Sequence, residues 1–266
     1  MLVRARVLQA RILPHGWLDA LRQVSLFSAA YFAYRLVRGM VEGDANAAFR
    51  HARDLISLER TMHLFVEPSI QAWASGSHFL MVAASWLYVN AQTSVTVGAL
   101  LFLYLCHNRS FYFVRNMFMI AMVIALIGYA VFPTAPPRLL PEWGFIDTVS
   151  DVFGVNTTRA GASSINALFN PYAAVPSMHV AFSLLIGGTL SRLCRHRVAR
   201  VLWMLYPLLM TFVIIVTANH FITDAMLGAL TAGASAYGAT WLARARPHVW
   251  RFSGLSPSPA QLTASG

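Results

Sequence analysis

Residues 201–243 read VLWMLYPLLMTFVIIVTANHFITDAMLGALTAGASAYGATWLA. Two charge-free apolar runs, 201–219 and 225–243, flank a polar break at His220-Phe221-Ile222-Thr223-Asp224. A helix that crosses a bilayer needs about 20 mostly apolar residues, and each run comes close to that length. The stretch therefore reads as two spanning helices that meet at one membrane edge. Ionisable groups at membrane depth are expensive and tend to be kept for function. That makes His220 and Asp224 the first side chains to explain.

The pattern repeats upstream. Further charge-free windows cover 79–106 and 116–137, and two less clean ones cover 20–41, interrupted by Arg22, Arg35 and Arg38, and 176–194, containing His179 and Arg192. The expected fold is all-α, a polytopic membrane bundle of about six transmembrane helices. Runs this long exclude a barrel, whose strands are short alternating segments. Composition agrees: 57% of residues are hydrophobic and 11% charged, against roughly a quarter charged in soluble domains.

The net charge of +10 comes from 20 basic residues, all of them arginine. They cluster at segment ends: Arg4, Arg6 and Arg11; Arg109 and Arg115; Arg192, Arg195, Arg197 and Arg200; Arg244, Arg246 and Arg251. With six spans these are alternate connections, as the positive-inside rule requires. Both termini and the 107–115 and 192–200 loops are then cytoplasmic, and 42–77 and 133–175 face outward. A multi-pass protein of a bacterial plasma membrane is expected, and nucleic acid is not an expected partner. Cys106 and Cys194 fall at cytoplasmic helix ends, where a structural disulfide is not expected.

Residues 1–19 form a basic approach to the membrane, and 20–251 the membrane-embedded domain, whose first segment reads as a retained span and not a signal peptide. The segment 44–74 places Phe49, Leu55, Leu58, Met62 and Phe65 at helical spacing, as for a helix that lies on the interface or packs over the bundle. The 133–175 connection, with its prolines and glycines, reads as an irregular outer loop. Residues 252–266 read as a disordered tail. Small residues at 225/229 and 228/232 allow close helix approach.

Within this topology His179 starts the fourth span on the outer side, His220 ends the fifth, and Asp224 begins the sixth. If the backbone is helical there, His220 and Asp224 share a face. The carboxylate then accepts from one imidazole nitrogen and leaves the other more basic, as a nucleophile or base requires. A second histidine can serve as general acid. Two alternatives use the same side chains: a metal site built on two His and one Asp, and a proton relay in a transporter. Transporters place such groups near the midplane and often show repeats; here they lie at one edge, and no repeat is visible.

Ala174-Val175-Pro176-Ser177-Met178-His179 and His220-Phe221-Ile222-Thr223-Asp224-Ala225-Met226-Leu227-Gly228 carry a family resemblance. The chain resembles the phosphatidic acid phosphatase type 2 superfamily, which shares its helical core with vanadium haloperoxidases, and within it the inositol phosphorylceramide synthase-like branch. Pro136-Pro137-Arg138, Glu59-Arg60 and Glu67-Pro68 add to it. The resemblance implies a phosphorylated membrane lipid as substrate and no cofactor. It makes His220 the nucleophile through a phosphohistidine, Asp224 its orienting partner, and His179 the proton donor to the leaving alcohol. Ser177 and nearby amides would hold phosphate oxygens, and water or a lipid alcohol would be the acceptor. Val213 and Ile214 stand where the family usually has Ser-Arg, a departure shared by sphingolipid synthases. The phosphate-binding cations must then come from elsewhere: Arg138 first, then Arg60 and Arg35. Tyr172, Asn170 and Asn166 are head-group candidates. His63, His78, His107, His196 and His248 read as surface residues.

Overall fold

The computed structural model describes residues 16–40, 44–153 and 172–245. The expectations for Asn166, Asn170, His248, most of residues 1–19 and the tail fall outside them. Among the described residues all regular structure is helical: α1 (Gly16–Met40), α2 (Ala45–Thr61), α3 (Glu67–Ser75), α4 (His78–Cys106), α5 (Asn108–Val131), α6 (Thr148–Phe153), α7 (Met178–Leu193), α8 (Arg197–Val216) and α9 (Ile222–Ala245), with 3₁₀ turns at Pro137–Leu139 and Pro141–Trp143.

The six expected spans correspond to α1, α4, α5, α7, α8 and α9. Of these, α4, α5 and α8 are long and apolar enough by themselves to cross a membrane; α7 has the same character but only 16 residues. The lower hydropathy of α1 and α9 has readable causes, arginines in the first and a run of Gly, Ala, Ser and Thr in the second. Small side chains weaken hydropathy while permitting close packing. Accordingly α9 lies against α5 and α7, and α7 also packs along α8. Phe118, Ala121 and Ala125 of α5 meet Ala181, Phe182 and Ile186 of α7 and Ala232 of α9 in the main core.

Two close crossings are set by glycine. A Cβ on Gly187 would fall 2.5 Å from the Trp203 carbonyl oxygen, and one on Gly228 would fall 2.4 Å from the Ser177 carbonyl oxygen. Only a residue without a side chain lets α7 approach α8 and α9 so nearly.

A second core caps the motif-bearing end. Asp44 caps α2 by accepting from the Asn46 amide at 2.9 Å. The face α2 buries is Ala48, Ala52, Leu55, Ile56 and Glu59. The expected stripe is thus shifted: Leu55 is on it, but Leu58 and Met62 are exposed. Alanines, not large apolar residues, set how closely the cap sits. It covers Ala135, Leu140, Phe145, Val175, Ala218 and Phe221. The connection after α5 is pinned through Gln71, which accepts from the Ile146 amide at 3.1 Å and donates to its carbonyl at 3.0 Å. Cys106 and Cys194 are both free.

Candidate active site

The site begins where α8 stops. The Ala218 amide returns to the Ile215 carbonyl, and the Asn219 and His220 amides return to that of Ile214. Ala218 has φ +50°, a left-handed conformation rare for a residue with a side chain, and it is fully buried. Such outliers persist where the surroundings enforce them and concentrate at functional sites. Arg138 helps enforce this one: its amide donates to the Ala218 carbonyl at 2.8 Å, and its guanidinium donates to the Asn219 side-chain oxygen.

His220 therefore lies in the link before α9, not on a shared helical turn with Asp224. The pairing is nevertheless made. His220 Nδ1 is 3.2 Å from Asp224 Oδ2, and the same oxygen accepts from the Phe221 amide at 3.0 Å. An acidic side chain in the first turn of α9 also suits the helix dipole. Asp224 is completely buried.

His179 sits in the first turn of α7, next to its N-cap Ser177. The two motifs are joined directly, since the Ser177 amide donates to the Asp224 carbonyl at 3.1 Å. That amide is committed to holding α7 against α9. The Ser177 hydroxyl is buried and has no hydrogen-bond partner among the described residues. The His179 ring stacks on Tyr88 at 4.4 Å, with Nε2 3.2 Å from the Tyr88 carbonyl oxygen. Its centroid is 5.8 Å from that of His220, the rings at 62°.

Both histidines face a cavity of about 290 Å³. Arg138, Asn219, Arg35 and Arg38 line it too, with Tyr31, Tyr34, Tyr88, Gln92 and Tyr129. Arg38 packs over the Tyr129 ring at 5.4 Å and reaches the Ala173 carbonyl at 3.5 Å. Arg138 has one nearby carboxylate, Asp147, at 3.8 Å. Burial above all, then the charges of Arg138 and Arg38, push His220 down to about 3, against only a small opposing effect of the Ala174 carbonyl. Its imidazole is neutral at physiological pH, as a nucleophile must be.

Of the expected site residues, the structure brings His179, His220, Asp224, Arg138 and Arg35 together. Arg60 is elsewhere: its guanidinium lies over the Trp143 ring at 4.8 Å and the Phe65 ring at 5.6 Å. The aromatic cluster of the cap holds it there by cation–π attraction. Tyr172 packs edge-on against Phe49, 6.2 Å between centroids, and does not line the cavity. Arg38, Asn219 and Tyr88 were not singled out from sequence. Arg38 had a visible signal, an arginine three residues after Arg35 inside an apolar run. No local signal marks Tyr88, which reaches His179 only through packing of α4 on α7.

No curated protein and no solved structure matches the chain. A family model described as the PAP2 superfamily matches residues 53–238, a span that holds both histidine motifs, Asp224 and Arg138. On that match the chain belongs to the PAP2 superfamily, whose members are generally phosphatases.

Proposed function

We propose that this protein transfers the phosphoryl group of a membrane lipid phosphate through a phosphohistidine on His220, with water as the acceptor. The observation that carries the reading is the His220 Nδ1–Asp224 Oδ2 pair at 3.2 Å beside His179, in a cavity also lined by Arg138, Arg35 and Arg38.

With Nδ1 held by Asp224, Nε2 of the neutral imidazole attacks phosphorus. The P–O bond to the lipid breaks as the P–N bond forms, and His179 gives its proton to the departing alkoxide. A water molecule then attacks phosphorus, the P–N bond returns its electron pair to His220, and His179 takes the water proton. The products are a lipid alcohol and inorganic phosphate.

Charge gathered on the equatorial oxygens needs fixed cations and donors. Arg138 and Arg38 supply the charge that Val213 and Ile214 cannot, with Asn219 orienting Arg138. The Ser177 hydroxyl is a further donor in reach of the α7 N-terminus. The same chemistry with a lipid hydroxyl in place of water gives a synthase, as in the inositol phosphorylceramide synthase-like branch; the absence of Ser-Arg at 213–214 favours that second reading. An outward-facing site with both termini cytoplasmic is the orientation that the arginine clusters at alternate helix ends support.

The test is purified protein in mixed micelles with phosphatidic acid labelled at phosphorus, with and without diacylglycerol or ceramide. Free phosphate identifies the hydrolase, and a new phosphodiester the synthase. An acid-labile label should appear on the wild-type chain and be missing from His220→Ala. Undiminished labelling and turnover in that variant would exclude the mechanism.

A further inference from the structure

The N-terminus of α9, which carries Asp224, is held by two glutamates from the cap. Glu67, the first residue of α3, accepts from the Ile222 amide at 2.9 Å. Glu59, near the end of α2, accepts from both the amide and the hydroxyl of Thr223 at 2.7 Å. Both glutamates have 0% exposure. Each does this with Oε1; the Oε2 atoms of both have no hydrogen-bond donor among the described residues.

Two orphaned, fully buried carboxylate oxygens side by side are costly twice over, through desolvation and through like-charge repulsion. Yet Glu59 and Glu67 take the amides of consecutive residues, Thr223 and Ile222, which brings the two carboxyl groups to the same end of α9. Two deprotonated carboxylates cannot bond to each other. One proton between them supplies the donor that both lack.

We propose that Glu59 and Glu67 share a single proton, and that this acid–carboxylate pair is the latch by which α2 and α3 fix the start of α9 and so position His220 and Asp224. The inference rests on the reaction proposed above only for its activity readout. Both are positioning residues: they touch the backbone between His220 and Asp224, at Ile222 and Thr223, and neither lines the cavity. Burial first, and then the bond to Glu59, hold the proton on Glu67 up to about 8. Among the described residues Asp224 of α9 is a further acid, close enough to feel the charge of Glu59. Loss of the proton puts two negative charges beside that third carboxylate and opens the latch.

The experiment compares the full chain in detergent with Glu59→Gln, Glu67→Gln and the double variant. Either single amide supplies one fixed N–H to the facing oxygen and keeps the latch without a titrating proton. The double variant sets two amide donors against each other. Wild-type turnover should fall as pH rises through about 8, while each single variant stays active and loses that alkaline limb. The double variant should lose at least about tenfold, more than the two singles combined. Thermal unfolding gives a readout free of substrate. The raised Glu67 makes wild-type stability decline between about 4.5 and 8, and Glu67→Gln should flatten that slope. An unchanged slope and alkaline limb in Glu67→Gln, or a double variant as active as the singles, would overturn the latch. A flattened slope in a protein that turns over no phosphorylated lipid overturns the reaction and upholds the latch.

Discussion

Replacing Gly228 by alanine tests whether the site depends on how closely two helices approach. The added Cβ would lie 2.4 Å from the Ser177 carbonyl oxygen, 3.3 Å from its carbon and 3.3 Å from Val180 Cβ. Ordinary carbon–oxygen contacts are about 3.3–3.6 Å, so the shortfall is about 1 Å. The obstacle is backbone and cannot rotate away. That carbonyl already accepts the first hydrogen bond of α7, from Ala181 at 3.1 Å. Relief must come from α9 moving off α7, which stretches the Ser177 amide–Asp224 carbonyl bond and draws His220 from His179. Overpacking of this kind costs about 1–3 kcal/mol, and a 1 Å displacement of reacting groups about 10²-fold in rate. Phosphate release from mixed micelles should therefore drop about 10²-fold, with a lowered unfolding temperature. Gly233→Ala is the control: it is on the same helix, a Cβ there meets nothing within 4 Å, and it should match or exceed wild-type stability by about 0.5–1 kcal/mol. Turnover of Gly228→Ala within twofold of wild type would refute the argument.

Asp224→Asn leaves the imidazole in place but removes the charge that orients it, so turnover should fall by about 10²–10⁴-fold with little change in KM, measured by the same phosphate assay. Arg38→Ala should lower kcat/KM about 10–100-fold, the loss of one charged hydrogen bond, with partial return in Arg38→Lys. Arg60→Ala should change turnover little, since that side chain packs on Trp143 outside the cavity. On acidification, native His220 stays neutral to about 3 while the unfolded chain protonates below 6.5. Its contribution to stability is present above 6.5 and lost as pH falls towards 3, so thermal unfolding in detergent should shift down across that window, and less in His220→Gln.

The helical bundle and the convergence of His179, His220 and Asp224 were legible because both depend on patterns local to a segment: apolar run length, and ionisable residues at its edge. His220 and Asp224 are four residues apart and are brought together by their own turn. The helical geometry imagined for them was not needed; the buried turn at Ala218 achieves the pairing by a different route. What the sequence could not display was anything set by packing between distant segments. The Tyr88 stack on His179 joins residues 91 apart. Glu59 and Glu67 meet Thr223 and Ile222 across more than 150 residues. Arg60 and Arg35 stood level as candidate cations in the sequence, and only the aromatic neighbours of one and the cavity beside the other separate them.

The family match begins at residue 53, so α1 with Arg35 and Arg38 stands outside it while still forming one wall of the cavity. The two histidines and part of the cationic lining therefore belong to different lengths of chain. Substitutions along α1 can alter the charge and shape of the cavity wall and leave the His220–Asp224 pair untouched. One wall of the cavity can drift without moving the side chains of the other.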